Sequence, residues 1–115
     1  MNRLFKLIVA LLALACASAG FAQAFPNKPV RIVLPFAAGS TTDVLARIVG
    51  QKLSERLGQQ VIIDPKPGGN GVLAVDYVAK APPDGYTLIM ASNGTHGINV
   101  SSFARLPYDP VKDFV

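Results

Sequence analysis

The stretch PFAAGSTTD, Pro35 to Asp43, sets three consecutive hydroxyl residues beside a glycine, where an apolar run gives way to a helical pattern. It offers backbone amides and the hydroxyls of Ser40, Thr41 and Thr42, but no Lys or Arg. First-turn amides of a helix have no intrahelical acceptor and carry partial positive charge, which suits an anion. With Asp43 close by and no cation to balance it, the loop suits a small carboxylate better than a polyphosphate. A purely structural reading stands beside this one. Ser40 caps the helix and Asp43 reaches back to the Ser40 amide, as in a capping box. The two readings are compatible, because capping leaves other amides unpaired.

A second stretch, SNGTHGIN (Ser92–Asn99), is another loop of small and polar residues, with Asn93, Thr95 and His96 as candidate contacts. His96 is the single histidine. Catalysis through it would require a nucleophile and an orienting acid, which nothing nearby supplies. A metal site would require more ligands. Its expected role is hydrogen bonding within the loop or at a cleft rim. Between these stretches, Gly69-Asn70-Gly71-Val72-Leu73-Ala74 fits GxGxxA, the weak form of a dinucleotide fingerprint, while the phosphate loop GxxxxGK[ST] is absent. The first glycine lies several residues beyond its strand, and no acid ends the next strand to take a ribose. These glycines are better explained as letting the backbone turn closely around a ligand cleft. No cofactor and no metal are expected.

The elements that position these loops follow from periodicity. VRIVL, Val30–Leu34, is a β-branched run between Pro29 and Pro35 and predicts a first strand. Asp43–Leu57 predicts a helix with Leu45, Ile48, Val49, Leu53 and Leu57 on one face, stopped by Gly58. VIID, Val61–Asp64, predicts a second strand. A second helix is expected over about 71–81, with Val72, Val75 and Ala79 in line. After the turn PPDGY, a third strand is expected at Thr87–Ala91, buried on both faces. A short helix near Asn99–Arg105 would follow. Right-handed crossovers make this β-α-β-α-β unit a parallel sheet with the first strand in the middle. Ligands bind such sheets outside the carboxyl ends of the strands, where all three small-residue loops fall.

Half of the 115 residues are apolar and the formal charge is +4, but these averages mix two parts. Residues 1–24 read as a secretory signal: Asn2, Arg3 and Lys6, the apolar LIVALLALA, then Ala17-Ser18-Ala19 and Ala22-Gln23-Ala24 as cleavage sites. The apolar run is too short for a permanent membrane anchor. Cleavage after Ala24 is favoured, placing Phe25 just before the first strand. Cys16 raises a lipoprotein alternative, but Leu stands two residues before it rather than three. Without Arg3 and Lys6 the charge falls from +4 to +2 with no basic cluster, which argues against nucleic acid or an anionic membrane surface as partner. Residues 25–115 can build only a marginal core and are expected to be the front part of a larger protein.

Three segments carry a family resemblance: FPNKPVRIVLPFAAGSTTDVLARIVGQKLSERLGQQVIID, KPGGNGVLAVDYVAKAPPDGYTLIMASNGTHGIN and LPYDPVKDF. Together they resemble the extracytoplasmic solute-binding proteins of tripartite tricarboxylate transporters, the Bordetella uptake gene family, continuously from Phe25 to Val115. The resemblance implies an α/β, periplasmic-binding-protein-like (type II) fold whose second domain is missing from this chain. It implies a monomeric periplasmic receptor, not an enzyme, that closes on a small carboxylate and delivers it to membrane permease subunits. The ligand loops would be the two stretches above, with Phe36, Ala38, Gly39, Ser40, Thr41 and Thr42 from the first and Asn93, Thr95 and His96 from the second. The family often has Pro or Gly where this chain has Ala37, Ala38 and Ser40, so the carboxylate itself stays open. The rivals are an exported α/β enzyme using His96, a nucleotide-binding domain and a stand-alone interaction module.

Overall fold

The computed structural model describes residues 24–115. The expected signal segment, apart from Ala24, and Cys16 lie outside the described residues. The three strands form one parallel sheet in the order β2-β1-β3. β1 is Val30–Leu34, β2 Val61–Pro65 and β3 Thr87–Ile89. Ile32 pairs with Ile63 on one side and Leu88 on the other, which fixes the register. The expected parallel β-α-β-α-β unit and its central first strand are therefore present.

α1, Thr41–Leu57, crosses from β1 to β2. Ser40 is its extended N-cap and Gly58, at φ 67°, closes it by donating to the Ser54 carbonyl. Ser54 Oγ then donates to the Gln59 carbonyl and accepts from the Val61 amide, both at 2.8 Å, so the helix end and the start of β2 are joined. α2, Val72–Ala79, returns on the other face of the sheet. The core is accordingly split by the sheet. Ile32, Leu34 and Ala46 pack with Leu53, Val61, Ile63 and Met90 under α1. Val33, Ala74 and Val78 pack with Ile89 and Phe114 under α2.

Two expectations fail here. The inward face of α1 is Asp43, Ala46 and Gly50, with Leu53 half-buried, whereas Leu45, Ile48 and Val49 are about half exposed. A Cβ on Gly50 would meet Ile63 Cδ1 at 3.0 Å, so the helix sits too close to β2 for large side chains at the contact. The third strand is also shorter than expected and is not buried on both faces. It forms an edge of the sheet, α1 lies mainly over β1 and β2, and Leu88 is 41% exposed. In α2 the buried positions are Ala74, Val75 and Val78, so Val75 was placed correctly while Val72 and Ala79 are half-buried.

After β3 the chain does not form the expected loop. Ser92 Oγ accepts from the Thr95 amide and Thr95 Oγ1 accepts from the Ser92 amide, a reciprocal cap that starts a helix at once. A π-type turn, Gly94–Ile98, runs directly into α3, Asn99–Ser102.

Candidate functional site

The carboxyl ends of the three strands open onto one cleft of about 350 Å3. Pro35 and Phe36 from the loop after β1 form one wall, Gly68, Asn70 and Gly71 from the turn after β2 the next, and Ser92, Gly94, Thr95, Ile98 and Asn99 the third. The turn after β2 is left-handed throughout: Gly69, Asn70 and Gly71 have φ of 56°, 58° and 85°. That backbone suits glycine and costs a Cβ-bearing residue, with Asn among the more tolerant. Gly71 also sits where a Cβ would lie 2.6 Å from Thr95 Cγ2 and 3.0 Å from Pro35 Cβ. The three walls therefore meet at van der Waals distance around Gly71.

The first loop holds its shape with its own polar groups. Ser40 Oγ accepts from the Asp43 amide at 3.2 Å. Asp43 Oδ2 accepts from the Gly39 amide at 2.8 Å rather than from Ser40, whose amide donates to the Ala37 carbonyl instead. The expected box is thus shifted by one residue, because Gly39 at φ 82° turns its own N–H toward the carboxylate. Arg47 Nε, one turn on, donates to the same Oδ2 at 3.0 Å. The Arg47 hydrogen bond, with the Gly39 amide behind it, holds the Asp43 carboxyl below its ordinary value against the opposing effect of burial. Asp43 Oδ1 is buried without a partner. The amides of Thr41 and Thr42 open α1 and have no acceptor among the described residues.

The structure brings some of the expected contacts together and separates others. Phe36, half-buried, and Thr95, buried, line the cleft. Ala38 and Gly39, both exposed, and Ser40, Thr41 and Thr42 belong to the same carboxyl edge but not to the cleft lining. Asn93 is exposed beside the lining residues Ser92 and Gly94. The Thr95 hydroxyl is already engaged with Ser92 and with His96 Nδ1. His96 turns its ring toward Phe114, at 5.1 Å between centroids, and Tyr108. It lines a larger hollow of about 840 Å3 beside α3 and the segment 106–113, to which the loops after β1 and β2 contribute no residue. That hollow lacks the converging loops of the smaller cleft.

Two buried residues escaped the sequence reading. Asn99 and Tyr108 are 1% and 5% exposed. Asn99 Nδ2 donates to the Asn70 carbonyl at 3.1 Å and to Tyr108 Oη at 3.3 Å, and Tyr108 Oη donates to the Thr95 carbonyl. The available signal was LPYDPVKDF, which sets a tyrosine between Pro107 and Pro110. Among the described residues no three His, Cys, Asp or Glu side chains gather as metal ligands, and no helix is long and apolar enough to cross a membrane.

Residues 45–115 match the family described as the tripartite tricarboxylate transporter family receptor. A UPF0065 protein of Bordetella bronchiseptica is 47% identical over 96% of this chain and 33% of its own length. MatC from Rhodopseudomonas palustris, solved with bound malate, superposes with a TM-score of 0.73 at 45% identity, over 77% of this chain and 30% of that one. A second R. palustris protein, solved with adipate, gives 0.71 and 44%, over 75% of this chain and 29% of its own. The chain thus spans about a third of the length of the relatives it matches.

Proposed function

Since the chain belongs to the tripartite tricarboxylate transporter family of receptors, we propose that it supplies one wall of a periplasmic receptor for a small carboxylate. The receptor works as a monomer, without catalysis, and hands its solute to the membrane permease subunits of the transporter. Residues 1–24 serve as the export signal, and residues 25–115 form the amino-terminal part of a longer, two-lobed protein, in keeping with relatives about three times its length.

The observation that carries this reading is the carboxyl edge of the sheet. Three loops converge there on one cleft, and the unpaired amides of Thr41 and Thr42 open α1 along the same edge. A carboxylate oxygen beside those amides replaces the water they would otherwise bind and meets the positive end of the helix. Malate in one relative and adipate in another point to dicarboxylates as the first solutes to try. Buried Asp43 does not defeat the reading, because Arg47 and the Gly39 amide already balance its charge.

Calorimetry on the complete gene product with malate, adipate and their methyl esters tests the proposal. The acids bind and the esters do not. Thr41→Ala removes one hydroxyl donor to a charged oxygen and weakens binding by about tenfold. Esters that bind as tightly as the acids, with Thr41→Ala unchanged, would reduce the loop to a helix cap.

A further inference from the structure

We propose that Asn99 and Tyr108 are positioning residues that clasp two walls of the cleft into one unit, so that they set its shape for the solute. The link to solute rests on the receptor reading above; the clasp itself does not. Asn99 Nδ2 holds the carbonyl of Asn70, which lies at the centre of the left-handed turn after β2. Its other N–H meets Tyr108 Oη, whose proton goes to the carbonyl of Thr95 in the π-type turn after β3. Two side chains thereby join backbone carbonyls that stand 25 residues apart in sequence, on facing walls of the same cleft.

The direction of each hydrogen bond is fixed by the partners. Asn70 and Thr95 offer only carbonyl oxygens, so Tyr108 must donate to Thr95 and its oxygen must accept from Asn99. Asn99 therefore presents its nitrogen to both neighbours, and its Oδ1 is left buried with no partner. An unpaired buried acceptor is destabilising, and an apolar residue of similar volume would avoid that cost. That residue would, however, strip the Asn70 carbonyl and Tyr108 Oη of the donor they now have, so what asparagine adds at this position is the nitrogen that holds both walls. The π-type geometry just before Asn99 agrees, since single π turns are frequent at functional sites. Gly71 and Thr95 are in close contact within the clasp, so a shift of either turn is transmitted to the other wall.

The test compares Tyr108→Phe, which removes one oxygen, with Asn99→Leu and with Val78→Ala, a core substitution under α2 that touches none of these groups. In the complete gene product, malate and adipate affinities are measured by calorimetry. Local opening is read from hydrogen exchange of the Gly71 amide, bonded to Gly68, and the Thr95 and His96 amides, bonded to Ser92. Tyr108→Phe is expected to speed exchange at both walls together by about tenfold and to weaken solute binding by a similar factor. Val78→Ala lowers the melting temperature without either effect. Exchange that rises at one wall only, or affinity that falls as much in Val78→Ala, overturns the proposal. If neither these acids nor a wider panel of small carboxylates binds the unaltered protein, the receptor reading fails while the exchange arm still decides the clasp. Should Asn99→Leu fail to fold, Tyr108→Phe decides alone.

Discussion

Gly71→Ala separates backbone strain from packing when it is read against Gly39→Ala. Both glycines have φ near the left-handed minimum, 85° and 82°. An alanine there costs roughly 1–2 kcal/mol for the dihedral alone. At Gly39 nothing lies within 4 Å of the added Cβ, so the dihedral is the whole effect. At Gly71 the Cβ would stand 2.6 Å from Thr95 Cγ2 and 3.0 Å from Pro35 Cβ. Neither neighbour gives way easily: Thr95 is 2% exposed with its hydroxyl bonded to the Ser92 amide and carbonyl, and Pro35 has a fixed ring. Forcing a methyl into such a contact adds about 1–3 kcal/mol. The total for Gly71→Ala is therefore about 2–5 kcal/mol, against about 1–2 for Gly39→Ala. Urea unfolding of the complete gene product, with an unchanged denaturant slope, measures both. Equal losses would show that the three walls are not packed as described. Because Thr95 and Pro35 both line the cleft, Gly71→Ala should also weaken solute binding, and Gly39→Ala should do so less.

The remaining predictions concern acid and export. The Asp43 carboxyl is held below its ordinary value of 3.8 by the Arg47 hydrogen bond and the Gly39 amide. A depressed folded value gives stability that is present above the unfolded value and lost as pH falls through the folded one. Asp43→Asn should accordingly be less stable than the parent at neutral pH, with the two curves converging in acid; parallel curves in urea unfolding across that range would refute the assignment. Asp84 and Asp109 are lowered as well, chiefly by the Tyr86 amide and by the Val111 and Lys112 amides, so the variant keeps part of the acid dependence. Intact-mass analysis of the exported protein should give Phe25 as the first residue. A lipid on Cys16 at the amino terminus would show the other kind of export.

The backbone order was legible because it rests on strong local signals. Pro29 and Pro35 bracket β1, Ser40 and Gly58 bracket α1, and β-branched runs mark the strands. Side-chain burial was not legible to the same degree. Periodicity assigns large apolar residues inward, yet α1 approaches the sheet through Ala46 and Gly50 and turns Ile48 and Val49 outward. Close helix–sheet contact favours the smallest residues, and a pattern of hydrophobicity does not register size. Strand direction pointed to the carboxyl edge, where the structure places a cleft with Phe36 and Thr95 among its lining residues. Its coordination was hidden for a different reason. His96, Thr95, Asn99 and Tyr108 are arranged by contacts with the segment around Tyr108 and Phe114, and such long-range partners leave no spacing in the sequence.

Two of the side-chain hydroxyls at the carboxyl edge are committed to the fold. Thr95 Oγ1 is bonded to the Ser92 amide and carbonyl, and Ser40 Oγ already receives the Asp43 amide. Beside the hydroxyls of Thr41 and Thr42, what the carboxyl edge would offer a solute is therefore peptide, and peptide groups are chemically identical in every protein. Divergence in solute choice then requires no new hydrogen-bonding side chain. Changes at exposed loop positions such as Ala37 could suffice, by altering how the loop carries its amides to the start of α1. Two descendants with identical hydroxyl residues can come to prefer different acids, and two with different ones can converge on the same acid. On the receptor reading, the heritable information that specifies the solute would then lie partly in the course of the main chain rather than in any one side chain.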